Sequence, residues 1–108
     1  MAPRGYWVGH VEVVDPQAYR AYVAANAEPF AKYGARFLVR AGRYEMVEGA
    51  ARPRQVVIEF PDYETALACY RSPEYEAARR LRDGASLADL LIVEGYEAPP
   101  PAPAEPAR

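Results

Sequence analysis

Cysteine and histidine are almost absent from the sequence, each occurring once, as Cys69 and His10. A single cysteine excludes an internal disulfide, and these two residues cannot provide the four ligands of a usual zinc site. No phosphate-binding glycine loop and no nucleophile elbow are present. The sequence therefore predicts neither a cofactor nor a metal.

Long apolar runs are also missing. No stretch reaches the roughly 18 consecutive apolar residues that a membrane-spanning helix requires. The first ten residues, MAPRGYWVGH, contain no apolar segment of the kind that a signal peptide needs. We therefore expect a cytoplasmic protein with no membrane partner.

Positive charge is not in excess, because 13 Lys and Arg face 15 Asp and Glu, for a net charge of −2. Binding to phosphates needs a basic surface, so a nucleic-acid partner is not expected. The 108 residues, 51% hydrophobic and 26% charged, are typical of one globular domain. We assign that domain to residues 1–97, and the proline-rich residues 98–108 are predicted to form a flexible or polyproline-like tail.

Four segments rich in β-branched and aromatic residues predict strands. They cover residues 6–14, 35–49, 55–61 and 90–97. The pair Ala41-Gly42 predicts a bend or bulge within the second of them. The loop between the second and third strands carries the sequence GAARPR, whose glycine and proline favour a chain reversal.

Two helical segments separate these strands. The first starts at Asp15-Pro16, where Asp is the N-cap and Pro is the first helical residue, and it runs towards Gly34. Pro29 lies inside this segment and predicts a kink or break near residues 25–28. The second helix starts at Asp62, restarts at Ser72-Pro73 and ends near residue 84.

The resulting order β-α-β-β-α-β is typical of the ferredoxin-like split βαβ motif. It predicts an α+β fold with a four-stranded antiparallel sheet in the order 4-1-3-2. Both helices then lie on one face of the sheet, and the other face is left uncovered. What covers that second face becomes the main question about assembly.

Alternation along each strand assigns a mixture of apolar and charged residues to the uncovered face. The predicted set is Val8, His10, Glu12, Arg36, Leu38, Arg40, Gln55, Val57, Glu59, Leu90, Ile92 and Glu94. Burial of each apolar side chain against a second copy would contribute on the order of 1.5–3 kcal/mol. Buried charges would have to be paired within that contact. The pattern predicts a homodimer formed through the sheet face.

Six short motifs occur in a characteristic order: KYG, FLVR, VEG, IEFP, SPEY and a second VEG. This combination, within residues 5–97, resembles the bacterial family catalogued as domain of unknown function 1330. The resemblance implies a dimeric α/β barrel related to small cofactor-free monooxygenases, isomerases and stress-induced proteins, and it brings no assigned activity. Where the family typically has Arg-Gly-Gly, this chain has Arg40-Ala41-Gly42, and we expect the special backbone conformation at Gly42.

Three polar residues on the predicted sheet face are candidates for chemistry. His10 could act as a general base, because imidazole titrates near neutral pH. Glu59 is the alternative base, with Arg40 as an anchor for an anionic ligand. The competing interpretation makes His10 an interface residue and Arg40–Glu59 a structural ion pair in the dimer.

Aromatic residues near the helices are candidates for a ligand pocket. Five tyrosines could line a space between helices and sheet together with Trp7 and Asn26: Tyr19, Tyr22, Tyr33, Tyr70 and Tyr75. From this group Tyr33, Tyr70, Tyr75, Trp7 and Asn26 are predicted, with Arg40, to bind the ligand. The alternative is amphipathic packing, in which each ring belongs to the core.

Two functions remain open from the sequence. The first is a homodimer that binds a small organic ligand and acts as a cofactor-independent oxygenase or isomerase. The second is a binding or structural module without turnover. A cavity of roughly 300 Å³ or more with converging polar groups would favour the enzyme, whereas aromatic rings filling that volume would favour the module.

Overall fold

The computed structural model describes residues 3–98. Seven elements follow one another along this range. They are β1 (Gly5–Val13), α1 (Pro16–Lys32), β2 (Arg36–Arg40), β3 (Arg54–Phe60), α2 (Tyr63–Arg71), α3 (Pro73–Arg80) and β4 (Ser86–Glu94). The predicted tail lies outside the described residues except for Ala98. Within the described range, no helix is long and apolar enough to cross a membrane.

The four strands form one antiparallel sheet in the order β2-β3-β1-β4. From the opposite edge this is the predicted order 4-1-3-2. The core lies between the helices and the sheet face that carries Trp7, Ile58 and Phe60, all of which are buried. We call the other side, which carries Val8, His10, Val57 and Leu91, the open face. The fold is therefore α+β with a four-stranded antiparallel sheet.

The described residues contain three helices, so the prediction of two is wrong in number. The extra boundary falls at Ser72, whose extended backbone (φ −71°, ψ 148°) ends α2. The Ser72 hydroxyl accepts a hydrogen bond from the backbone N–H of Tyr75 at 3.1 Å and so caps α3. Because Pro73 has no N–H and suits a first helical position, the chain restarts a helix there rather than continuing the previous one.

Both predicted helix starts are confirmed. The Asp15 carboxylate accepts hydrogen bonds from the backbone of Gln17 and Ala18, and the Asp62 carboxylate accepts one from Thr65 N–H at 2.7 Å. The hydrogen bond from Thr65 lowers the pKa of Asp62. The predicted break before Pro29 is absent, because α1 runs through it to Lys32 with the Pro29 ring fully buried. Burial of that ring offsets the hydrogen bond that a proline inside a helix removes.

Strand β2 is much shorter than predicted and ends at Arg40 rather than at residue 49. Its pairing with β3 shifts by one residue between Phe37 and Val39, so that Leu38 is the extra residue of a β-bulge. A bulge reverses the alternation of the residues that follow it. Val39 therefore lies on the open face, and Arg40 lies on the helix side, opposite to its predicted position.

Ala41 ends β2 with a left-handed backbone, φ 56°, whereas Gly42 has no positive φ. The expectation that Gly42 carries the special conformation is therefore wrong. The Ala41 N–H donates to the carbonyl of Gln55 at 2.8 Å, and this bond to β3 holds Ala41 in place. An alanine in this region is strained by contact between Cβ and the following carbonyl oxygen.

Replacing Ala41 with glycine is expected to raise the free energy of unfolding by roughly 0.5–1 kcal/mol, because relief of the strain outweighs the added freedom of the unfolded chain. Urea denaturation followed by circular dichroism measures the change. Gly42→Ala is the matched control, since a Cβ there meets nothing within 4 Å. A lower stability for Ala41→Gly would contradict this assignment of strain.

The orientation of β4 also differs from the prediction. Ile92 pairs with Trp7, and Leu90 pairs with Gly9, so both side chains face the helices and pack against the core. Leu91 and Val93 are exposed on the open face instead. The segment LLIV is apolar at every position and carries no alternation from which a face could be predicted. The hydrogen-bond register between β4 and β1 determines which side chains of β4 face the helices.

Candidate functional site

A cavity of about 60 Å³, partly open to solvent, lies between α1 and the helix-facing side of the sheet. Its inner wall is aromatic. The Trp7 ring centroid lies 5.3 Å from that of Phe30 and 4.9 Å from that of Tyr75, both in edge-to-face geometry. The Trp7 indole N–H donates to the carbonyl of Ala66 at 2.9 Å. These contacts fix the position of the wall.

Two phenols and one amide bring polar groups to this wall. The hydroxyl oxygens of Tyr22 and Tyr75 lie 2.7 Å apart in a hydrogen bond. Asn26 lines the same cavity from α1 and is only 5% exposed. Among residues 3–98 the fully buried side-chain atoms without a hydrogen-bond partner are Arg54 Nε, Glu74 Oε2 and Ser86 Oγ, and the Asn26 amide is not one of them. Asn26 therefore contributes to the lining an amide that can both donate and accept hydrogen bonds.

Two tyrosines of the cavity, Tyr19 and Tyr75, stay protonated at neutral pH. Burial raises the pKa of Tyr75, and the neighbouring Tyr22 raises it further. Burial also raises the pKa of Tyr19, which lines the cavity beside Tyr22. These phenols therefore present O–H donors and do not act as bases.

Three arginines complete the lining, and we call Arg40, Arg54 and Arg82 the arginine rim. Each guanidinium carbon lies over an aromatic ring, at 4.2, 5.5 and 5.3 Å from the ring centroids of Phe37, Tyr19 and Tyr22 respectively. The ion pairs formed within the described residues use other cations: Lys32, Arg52, Arg79 and Arg80. The arginine rim is thus a group of positive charges with no carboxylate partner in the described part of the chain.

The cavity offers hydrogen-bond donors and positive charge, but none of the described residues that line it has a side chain available to act as a general base. Asp89 borders the cavity, yet its carboxylate is exposed and is paired with Arg52 at 3.0 Å. In register Asp89 lies opposite His10, which belongs to the open face. The arrangement can bind and stabilise a negative charge on a ligand, and it cannot remove a proton by itself.

Four of the six predicted ligand-binding residues line the cavity: Trp7, Asn26, Arg40 and Tyr75. Arg40 does so because the bulge at Leu38 turns it to the helix side. Tyr33 and Tyr70 do not line it. Tyr33 caps the end of α1, and the Tyr70 ring lies behind the wall, 5.7 Å from the Trp7 ring.

His10 and Glu59, the predicted catalytic residues, lie on the open face, away from the cavity. The His10 Nδ1–H donates to Gln55 Oε1, and Glu59 accepts a hydrogen bond from the Tyr6 hydroxyl at 3.3 Å. The predicted Arg40–Glu59 pair is wrong, because the bulge places the two side chains on opposite faces. An open depression of about 380 Å³ lies beside His10, between Val8 and Leu91.

Two rim arginines were missed by the sequence prediction although signals for them exist. Arg54 precedes Val56 by two residues and Ile58 by four, and because side chains alternate along a strand, all three face the helices. Arg82 follows Tyr75 by seven residues, a spacing that returns to the same side of a helix. Cys69 is buried in the core, and burial raises the pKa of its thiol to about 12, which excludes a reactive thiolate.

Solved structures share this fold at low sequence identity. RPA0582 from Rhodopseudomonas palustris, a protein of unknown function, is 17% identical, with a TM-score of 0.70 over 91% of this chain and 86% of that one. SnoaB from Streptomyces nogalater, a cofactor-independent oxygenase, is 14% identical, with a TM-score of 0.63 over 93% and 100% of the two chains. An ethyl tert-butyl ether d (ethd) family protein from Bacillus halodurans c-125 is 18% identical, with a TM-score of 0.53 over 87% and 99%.

No curated protein matches the chain. The family model described as a domain of unknown function (DUF1330), in contrast, matches residues 4–96. That range includes all seven strands and helices of the described residues. It also confirms the family that the motifs KYG, IEFP and SPEY indicate. The chain therefore belongs to the DUF1330 family.

Proposed function

We propose that the chain binds a small aromatic ligand in the cavity and acts as a cofactor-independent oxygenase. The observation that carries this proposal is the Asn26 amide, which lines the cavity beside the hydrogen-bonded Tyr22–Tyr75 pair. An amide among fixed aromatic rings can donate and accept hydrogen bonds and is suited to orient a ligand oxygen. Likeness in fold to SnoaB, a cofactor-independent oxygenase, supports the choice of reaction.

The side chains of the cavity favour oxygenation over isomerisation. Isomerisation by proton transfer needs a positioned base, and no lining side chain of the described chain provides one. Oxidation of a phenol to a quinone has a different requirement, because the ligand itself supplies the electrons. One oxygen atom of O₂ enters the ring and the other leaves as water. The phenol would lose its proton to solvent at the open side of the cavity, and Asn26 and Tyr75 would donate hydrogen bonds to the resulting phenolate oxygen.

The size of the cavity favours a second candidate function, a binding module without turnover. About 60 Å³ is well below the roughly 300 Å³ that enclosed ligand sites commonly have. Aromatic rings of Trp7, Phe30 and Tyr75 occupy much of the space between helix and sheet. A ligand in this site would place one ring edge or one polar group inside and leave the rest at the arginine rim.

The two candidates are separated by one titration and one turnover measurement. The indole N–H resonance of Trp7, the only tryptophan, reports occupancy of the cavity. Addition of 1-naphthol is expected to shift it, and Asn26→Leu is expected to weaken binding roughly tenfold through the loss of a hydrogen bond. Oxygen consumption with formation of 1,4-naphthoquinone and water would establish the oxygenase.

Gln17→Leu, on the exposed first turn of α1, is the control for the Asn26 substitution. Binding without oxygen consumption would favour the binding module over the enzyme. An unchanged Trp7 resonance, or equal binding by Asn26→Leu and the parent chain, would contradict the assignment of the cavity.

We propose further that two copies associate through their open faces. Large apolar side chains are exposed there on the two edge strands: Val39, Leu87, Leu91 and Val93. Four polar side chains on the same face form two hydrogen-bonded pairs, His10–Gln55 and Tyr6–Glu59. A face of exposed apolar groups with satisfied polar neighbours is typical of a protein–protein contact. In this proposal His10 and Glu59 belong to the interface and not to the reaction.

A further inference from the structure

We propose that the cavity selects a carboxylate-bearing aromatic ligand, which the arginine rim binds through its acid group. This inference rests on the proposed function only in taking the cavity as the ligand site. It adds the charge of the ligand and its orientation, with the carboxylate at the rim and the ring directed towards Asn26 and Trp7.

The fold brings the rim together from three separate segments. Arg40 is the last residue of β2 and pairs with Val56, and Arg54 is the first residue of β3 and pairs with Val11. Arg82 follows α3 and precedes Ser86, the residue at which β4 begins. Ser86 pairs with Val13 at the end of β1, so all three segments meet at the same end of the sheet.

The rim guanidiniums are held in place but are not neutralised. Each guanidinium lies over a ring, and Arg82 and Arg54 also interact with the hydroxyls of Tyr22, Tyr75 and Tyr19. These neutral partners hold the guanidiniums without cancelling their charge, and a guanidinium has five N–H donors, enough to bind an anion as well. The Nε of Arg54 is buried and has no hydrogen-bond partner among the described residues. A buried donor without an acceptor is destabilising, and a ligand oxygen would satisfy it.

The acidic residue in the described lining of the cavity is not available to the rim. Asp89 borders the cavity, but its carboxylate is paired with Arg52 on the open face. Three like charges beside an apolar cavity repel one another in the empty protein, and a bound anion removes that repulsion. A carboxylate suits the site because its two oxygens accept parallel N–H bonds from a guanidinium. The aromatic wall behind the rim then selects a planar ring.

A matched pair of probes tests the proposal: 4-hydroxybenzoate carries the acid, and 4-hydroxybenzamide has the same shape without the charge. Titration followed at the Trp7 indole N–H is expected to show at least tenfold tighter binding of the acid. Arg54→Gln is expected to weaken binding of the acid on the order of tenfold or more and to leave binding of the amide unchanged. Unchanged amide binding also shows that this variant is folded.

Arg20→Gln is the control, because Arg20 is exposed on α1 and does not line the cavity. Equal affinity for acid and amide would overturn the selection of anions while leaving the cavity as a ligand site. Tighter binding of the acid that is insensitive to Arg54→Gln would overturn the role of the rim. If neither probe, nor 1-naphthol, shifts the Trp7 resonance, the proposed function fails and this inference fails with it.

Discussion

Gly5→Ala is expected to lower the free energy of unfolding on the order of 3 kcal/mol, because the new methyl group has no space. A Cβ at this position would lie 2.4 Å from the carbonyl oxygen of Asp62 and 2.7 Å from Cα of Tyr63. Both neighbours are backbone atoms at the start of α2, so rotation of a side chain cannot relieve the clash. Gly5 also pairs with Phe60 and Glu94 on the two neighbouring strands, which prevents β1 from moving away.

Gly9→Ala in the same strand is the matched control. Its Cβ would lie 3.2 Å from Cδ1 of Leu90, the end of a flexible side chain, and 3.6 Å from the carbonyl oxygen of Asp89. We expect a change within about 1 kcal/mol, since Leu90 can adjust. Urea denaturation of both variants gives the midpoints and the slopes. If Gly5→Ala and Gly9→Ala lowered the free energy of unfolding by similar amounts, the close approach of α2 to β1 would not be the cause of the destabilisation.

Leu91→Arg is expected to convert the proposed dimer into a monomer, weakening association by a hundredfold or more. Leu91 is 56% exposed on the open face and lies opposite Val8 in the register of β1 and β4. In a dimer formed through this face, the arginine would be buried without a partner, and the penalty for such a charge is several kcal/mol. Sedimentation velocity at micromolar concentration measures the change in mass.

Leu81→Arg provides the comparison, because Leu81 is 45% exposed but caps α3 in the helix layer. This variant is expected to remain a dimer. Sedimentation of the unmodified chain as a monomer would contradict the proposed assembly. A dimer that persists in Leu91→Arg would place the contact elsewhere on the surface.

The order of the elements was predictable because it depends on local chemistry. Asp15, Asp62 and Ser72 each precede a helix and accept backbone hydrogen bonds at its start, as N-cap residues do. Apolar alternation likewise placed Trp7 on the buried face of β1. These features involve a few neighbouring residues, so the sequence contains the information needed to predict them.

The orientation of several side chains was not predictable, since it depends on pairing between distant segments. The bulge at Leu38 exists only in the register of β2 with β3, and it moves Arg40 from the predicted interface to the cavity. The run LLIV in β4 has no polar residue, so the sequence does not indicate which of its side chains face the helices. The volume of the cavity also had no sequence signal, because it depends on how the rings of α1 and α3 pack against Trp7.

The bulge in β2 has a consequence for how proteins with this sheet can diverge. Because β2 is an edge strand, an extra residue there disturbs only one set of ladder hydrogen bonds. Removal of Leu38 would leave Val39 opposite Val57 and Arg40 opposite Val56, so that the ladder becomes regular and Arg40 stays on the cavity side. A chain of the same length that paired without the bulge would instead carry Arg40 on the open face, and this would alter ligand charge and subunit recognition together without any amino-acid replacement.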